Sequence, residues 1–167
     1  MASKAETLRE RFWKALEDDR TVMLGCTGVH ARPMTAQVED GRGPVWFFTS
    51  RENDLAEAAR AGTVEGVMML ASKGHEVFAT VGGLLSQDND PVVIERLWNP
   101  FVAAWFPAGK SDPKLRLLRF EPHVAEIWLN ENSLFAGLKM LLGQDPRQEY
   151  RDSVATVRMR GGGKRRG

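Results

Sequence analysis

Apolar residues recur every four positions near the start of the chain, at Leu8, Phe12 and Leu16. That spacing gives one apolar helical face, running to about Glu17. Ser3 with Glu6 forms the capping-box pattern that opens such a helix. The period then changes. Thr21 to Gly28 reads as a strand, and Ala31 to about Glu39 as a second, alternating through Met34, Ala36 and Val38. Pro44 opens a third strand, Val45 to Thr49. The link Asp40-Gly41-Arg42-Gly43 is short and rich in glycine, so strands two and three are expected to form a hairpin.

Glu52 to Ala61 reads as a short alanine-rich helix stopped by Gly62. Val64 to Ser72 and His75 to Leu85 read as strands joined by a turn at Lys73-Gly74, and Gly82-Gly83 suggests a bulge or close backbone approach. Asp90-Pro91 starts a helix that runs to Trp98, and Pro100 and Pro107 break the segment after it. Leu115 to Phe120 and Val124 to Leu129 read as two last strands around Glu121-Pro122, before a helix from Leu134 to Leu142 ended by Gly143. Six or seven short strands with helices between them predict an α+β, mainly β fold: an antiparallel barrel with helical covers. From Gln144 the periodicity dissolves, basic residues outnumber acidic ones, and the sequence ends Gly-Gly-Gly-Lys-Arg-Arg-Gly. The expected organisation is one domain over residues 1–143 and a basic, solvated, disordered tail over 144–167.

Composition narrows the function classes. The chain has 167 residues and a net charge of +1, so charge gives no case for nucleic acid. No apolar run approaches the length of a membrane span, and no signal-peptide pattern opens the chain, which makes the cytoplasm the default expectation. Cys26 is the only cysteine, so no intramolecular disulfide forms, and its apolar strand suggests an inert buried thiol. His30, His75 and His123 are scattered and lack metal-ligand spacing, so no metal site is expected.

The candidate chemistry lies in two stretches, Arg32-Pro33-Met34-Thr35 and Trp46-Phe47-Phe48-Thr49-Ser50. One cation, an aromatic strand and terminal hydroxyls suit a phosphate at one end and a flat ring system at the other. On spacing alone, Arg32 reads as a strand-end surface arginine and Trp46 to Phe48 as plain core. Taken with three further pieces, the stretches resemble the FMN-binding split β-barrel family, the pyridoxamine 5'-phosphate oxidase-like proteins, in its bacterial general stress protein branch. The further pieces are Glu76 to Gly83, then Leu97 to Phe101 with Ala104 to Pro107 and Gly109-Lys110, then Ala125 to Trp128. The resemblance covers roughly Ala5 to Asn132.

The resemblance implies a bound FMN, with FAD or the deazaflavin F420 as alternatives. It carries the ring and phosphate contacts onto Arg32, Pro33, Met34, Phe48, Thr49, Ser50 and Arg51, and a polar ring contact onto Gln37. It also implies a homodimer with the flavin at the subunit interface, to which the other chain brings Trp128 and, as further candidates, Trp98 or Trp105. One position departs from the family pattern: a lysine common a few residues beyond Thr-Ser falls here at Leu55, and Arg51 is the candidate replacement. The oxidase itself carries an Arg-Leu-x-x-Arg cluster after its last-strand tryptophan. Here Trp128 is followed by Leu129-Asn-Glu-Asn, which argues against vitamin B6 oxidation. Two function classes are expected: a flavin-dependent oxidoreductase acting on a small substrate, or a flavin-binding stress protein that buffers or senses flavin. Neither calls for a nucleic acid or a membrane partner.

Overall fold

A computed structural model describes residues 1–130, 141–143 and 154–159. Helix α1 (Lys4–Asp19) opens at the expected capping box: Ser3 Oγ accepts from Glu6 N, and Glu6 returns the bond to Ser3 N. Leu8, Phe12 and Leu16 face inward, as their spacing requires. Among the described residues seven strands follow: β1 (Thr21–Cys26), β2 (Val29–Thr35), β3 (Val45–Ser50), β4 (Val64–Ala71), β5 (Val77–Gln87), β6 (Leu115–Leu129) and β7 (Val154–Arg158). The short helices α2 (Asp54–Ala58), α3 (Pro91–Leu97) and α4 (Pro100–Trp105) lie between them. Among the described residues no helix is long and apolar enough to cross a membrane.

All strand pairs are antiparallel, in the order β2-β1-β4-β5-β6-β3, with β7 also on β6. The sheet does not close. Its two ends meet at one bridge, where Gln37 N donates to Trp46 O (2.8 Å) and Trp46 N to Gln37 O (2.9 Å). That arrangement is an α+β split barrel, as expected. The hairpin expected of β2 and β3 is not a ladder, however. β2 pairs with β1 across the two-residue turn Thr27-Gly28, where Gly28 takes φ +78°, and that shorter closure wins over the longer Asp40 link.

The two strands expected around Glu121-Pro122 are one. β6 runs through the proline because Gly82 pairs with Val124 and Gly83 with Pro122, which leaves His123 as the extra residue of a bulge. The glycine signal at 82–83 is thereby explained. A Cβ on Gly83 would lie 2.2 Å from Glu121 O, so the backbones approach too closely for any side chain.

The tail expectation needs correction. β7 pairs with β6 from Val124↔Arg158 to Trp128↔Val154, and Val157 and Met159 enter the main core beside Leu8, Phe12 and Ile127. Two apolar residues at alternate positions are enough when a sheet edge and a helix already wait for them. The remainder of the tail, and most of the helix expected over Leu134–Leu142, lie outside the described residues.

Two cores result. The larger fills the barrel beneath α1 and takes in Val45 and Phe47 from one face of β3. The smaller takes Trp46 from the other face, with Phe48 and Trp98 packed against it, and joins Val93, Ile94, Val102 and Phe106 to Leu115 and Leu117. Strand alternation thus makes β3 the partition between barrel and helical cover.

Candidate functional site

Against that partition a groove of about 500 Å³ opens between β2, β3 and α4. β2 and its neighbours supply Pro33, Met34, Thr35, Gln37 and, through its register with Thr35, Thr21. β3 supplies Phe48, Thr49 and Ser50, and the start of α2 supplies Asn53. α4 forms the far wall with Phe101, Val102, Trp105 and Phe106. Among the described residues no ionisable side chain lines it. Pro33, Met34, Phe48 and the α4 residues make most of its wall apolar, Thr21, Thr35 and Gln37 bring polar groups along the β2 side, and Thr49, Ser50 and Asn53 bring hydroxyls and an amide at the Ser50–Asn53 end.

Local sequence fixes each wall. Asn53 caps α2, its Oδ1 accepting from Leu55 N at 2.9 Å, which holds the asparagine at the groove end. Asn99 caps α4 by accepting from Phe101 N (3.0 Å) and Val102 N (3.1 Å), with Pro100 in the first turn. Val102 and Phe106 then point into the smaller core, while Phe101 (85% exposed) and Trp105 (82% exposed) stand in solvent one turn apart at the groove mouth. The cover is tied down at two places. Arg96 of α3 forms a two-armed ion pair with Glu39, whose Nη2–Oε1 arm is 2.9 Å, and Lys110 bonds Glu95 at 2.6 Å. The Arg96 guanidinium holds the Glu39 carboxyl below the usual carboxylate range.

Of the residues singled out by resemblance, Pro33, Met34, Gln37, Phe48, Thr49, Ser50 and Trp105 all line this one groove. Trp105 does so in its own chain, although the resemblance had offered it as a partner's contribution. Trp98 stands behind the wall, edge-on to Phe48 with ring centroids 6.1 Å apart. Trp128 is elsewhere. It pairs with Phe78 and Val154 at the opposite end of β6 from Leu115, the residue that faces Ser50. Leu55 is fully buried in the main core, so the place of the missing lysine offers nothing to a ligand.

Arg32 and Arg51 flank the polar end without lining the groove. Arg32 Nη2 bonds Asp54 Oδ2 at 2.7 Å, on the residue that follows Asn53. Its Nε is buried and, among the described residues, has no hydrogen-bond partner. A buried, unanswered donor on a charged group is costly, so Arg32 is held beside the groove end at the expense of one of its donors. Arg51 is exposed, and its backbone N–H donates to Lys114 O at 2.7 Å. Cys26 is buried, and burial pushes its thiol pKa up, consistent with an inert side chain. Sequence reasoning did not assign Thr21, Asn53, Phe101, Val102 or Phe106 as lining residues, and it had Thr35 only as the end of a candidate stretch. The helix-cap pattern at Asn53 and the aromatic pieces around Phe101 and Phe106 were the available signals.

The sequence matches the family model described as pyridoxamine 5'-phosphate oxidase like over residues 7–150. Three solved structures are similar. A general stress family protein from Xanthomonas campestris pv. campestris is 51% identical, with 80% of this chain and 93% of that chain covered and a TM-score of 0.73. The general stress FMN/FAD binding protein from the phytopathogen Xanthomonas citri is 52% identical, with 76% and 92% covered and a TM-score of 0.72. A general stress protein 26 from Jannaschia sp. CCS1 is 32% identical, with 91% and 98% covered and a TM-score of 0.77. No curated protein matches the sequence.

Proposed function

The chain belongs to the pyridoxamine 5'-phosphate oxidase-like family of split barrels, in its general stress protein branch, and on that premise we propose that it binds FMN in the groove between β2, β3 and α4. The observation that carries this reading is the groove itself: about 500 Å³, walls that are mostly apolar, and hydroxyl and amide groups beside a half-buried arginine. Its size lies within the range of cofactor sites. Met34, Phe48 and Trp105 would pack against the ring faces. Gln37 and Thr49 would meet the ring's polar edge, and Ser50, Arg32 and Arg51 would hold the phosphate. The FMN/FAD binding protein of Xanthomonas citri, 52% identical, supports a flavin over other flat ligands.

A bound flavin supplies hydride and electron transfer. The chain's own part is to bind, to orient and to exclude water, because the lining offers no acid or base. We propose an oxidoreductase acting on a small molecule stacked at the groove mouth. The same lack of an ionisable lining residue favours a second reading, in which the protein holds flavin without turnover. Phe101 and Trp105, exposed side by side, support a homodimer in which a second copy covers the mouth.

The absorption spectrum of the purified protein, with the released cofactor identified by mass, tests the ligand. Flavin bands with an FMN mass are expected; an FAD or deazaflavin mass would replace FMN, and failure to bind any added flavin would overturn the proposal. Oxidation of reduced nicotinamide by the loaded protein separates turnover from storage. Sedimentation at micromolar concentration should give a dimer mass.

A further inference from the structure

The polar end of the groove carries its own counter-charge. Arg32 and Lys114 both reach acids near the start of α2: Arg32 meets Asp54 at 2.7 Å and Lys114 meets Glu52 at 3.8 Å. The Arg32–Asp54 contact is the shorter and the more sheltered, with the arginine side chain 33% exposed. Arg32 Nε is buried, so the exposed terminal nitrogens are the donors that a ligand from solvent meets first, and Asp54 already occupies Nη2.

Building on the flavin reading, we propose that Asp54 is a specificity-determining residue, a built-in competitor that limits how strongly the site rewards a phosphorylated ligand. The guanidinium projects from β2, where Arg32 is held in register with Leu24, and Asp54 bonds its Nη2 while its Nε is buried. A carboxylate on the same guanidinium as a phosphate dianion repels it. At a separation on the order of 6 Å in a solvent-like dielectric, this repulsion weakens binding about three- to ten-fold after salt screening. A ligand without phosphate does not feel it. The pair therefore compresses the preference for FMN over riboflavin and lets the site hold both.

The test is the affinity of FMN and of riboflavin, read by flavin fluorescence, for wild type, Asp54→Asn, and Asp54→Asn combined with Arg32→Ala. Asp54→Asn should tighten FMN about three- to ten-fold, steepen its salt dependence, and leave riboflavin within about two-fold. The gain should vanish in the Arg32→Ala background. Weaker FMN binding by Asp54→Asn, or equal change for both ligands, would overturn the proposal and make Asp54 a structural support. The Arg32 Nε–H resonance, titrated with inorganic phosphate, separates this failure from that of the flavin reading. A stronger phosphate response in Asp54→Asn than in wild type supports the competitor even if no flavin binds, and an unchanged response counts against it.

Discussion

Met159→Ala offers a sharp test of how the chain is held together, because the residue lies in a segment that looks solvated yet is 3% exposed. Met159 and Val157 sit in the main core, Met159 N donates to His123 O at 2.9 Å, and Arg9 Nη1 of α1 reaches Arg158 O at 2.9 Å. Truncating a fully buried methionine costs about 2–5 kcal/mol through lost transfer energy and the cavity left behind. For a chain of this size that lowers Tm by roughly 4–20 °C, at about 2–4 °C per kcal/mol. Val157→Ala should cost about 2 kcal/mol by the same reasoning. The two losses should not add. Once β7 is released from β6, further truncation removes nothing, so the double variant should level off at the docking free energy of the strand. A chain ending after Ser153 should unfold at that same plateau. Thr156 faces solvent, and Thr156→Ala serves as the control, within about 0.5 kcal/mol of wild type. Thermal and urea unfolding followed by circular dichroism measure all of these proteins. A Met159→Ala protein that melts within about one degree of wild type would refute the docking of β7 and return residues 154–159 to the solvated tail.

Arg32→Ala should weaken FMN on the order of ten-fold or more and riboflavin little, because a charge-assisted hydrogen bond contributes about 1.5–3 kcal/mol and only FMN carries the phosphate. Equal loss for the two ligands in parallel titrations would place the role of Arg32 in folding. Glu39→Gln should cost less than about 1 kcal/mol at neutral pH, since the pair with Arg96 is partly exposed. The Glu39 pKa is depressed from 4.5, so the pair's stabilisation is present above that value and is lost as pH falls below it. Unfolding curves of wild type and Glu39→Gln should therefore converge on the acid side, and a difference that persisted there would refute this account.

Most elements were legible because their periodicity is local. The four-residue spacing of Leu8, Phe12 and Leu16, the caps at Ser3 and Asp90, and the glycine pair at 82–83 each state their structure within a few residues. Strand pairing was not, since it depends on closures between distant segments. The Asp40–Gly43 link suggested a hairpin, but β3 instead ladders with Leu115–Phe120 and is joined to the end of β2 by the single bridge from Trp46 to Gln37, two residues past the strand. β7 showed only as a hint of a short strand at Val154, Val157 and Met159, one that could equally have meant packing on a partner subunit, for a related reason. Val154, Val157 and Met159 are diluted by charge in their own segment, and their value appears only when the edge of β6 and the underside of α1 are known. At the site, family likeness gathered most of the β2 and β3 wall. It could not foresee that Trp105 serves its own chain's groove, or that Asp54 answers Arg32, because both depend on how short helices pack after the strands are set.

β6 joins these observations, because one side of a single strand serves both the site and the tail. Its first half, Leu115–Phe120, pairs with the β3 wall of the groove; its second half, Val124–Trp128, pairs with β7. The bulge at His123 separates the halves, so loosening β7 should lower stability while leaving ligand affinity nearly unchanged. Gly83→Ala should behave differently. Its Cβ would meet Glu121 O at 2.2 Å and the Phe120 ring at 2.9 Å, and a backbone carbonyl cannot rotate aside as a side-chain tip can. The strands must separate, at a cost of about 1–3 kcal/mol or more. Phe120 faces Val45 at the start of β3, so the shift passes into the groove wall as well. Gly83→Ala is therefore expected to lower both Tm and ligand affinity, where Met159→Ala lowers Tm alone. Unfolding and ligand titration on the two proteins check this, and a Gly83→Ala protein with wild-type stability would show that the bulge relaxes more freely than its backbone contacts permit.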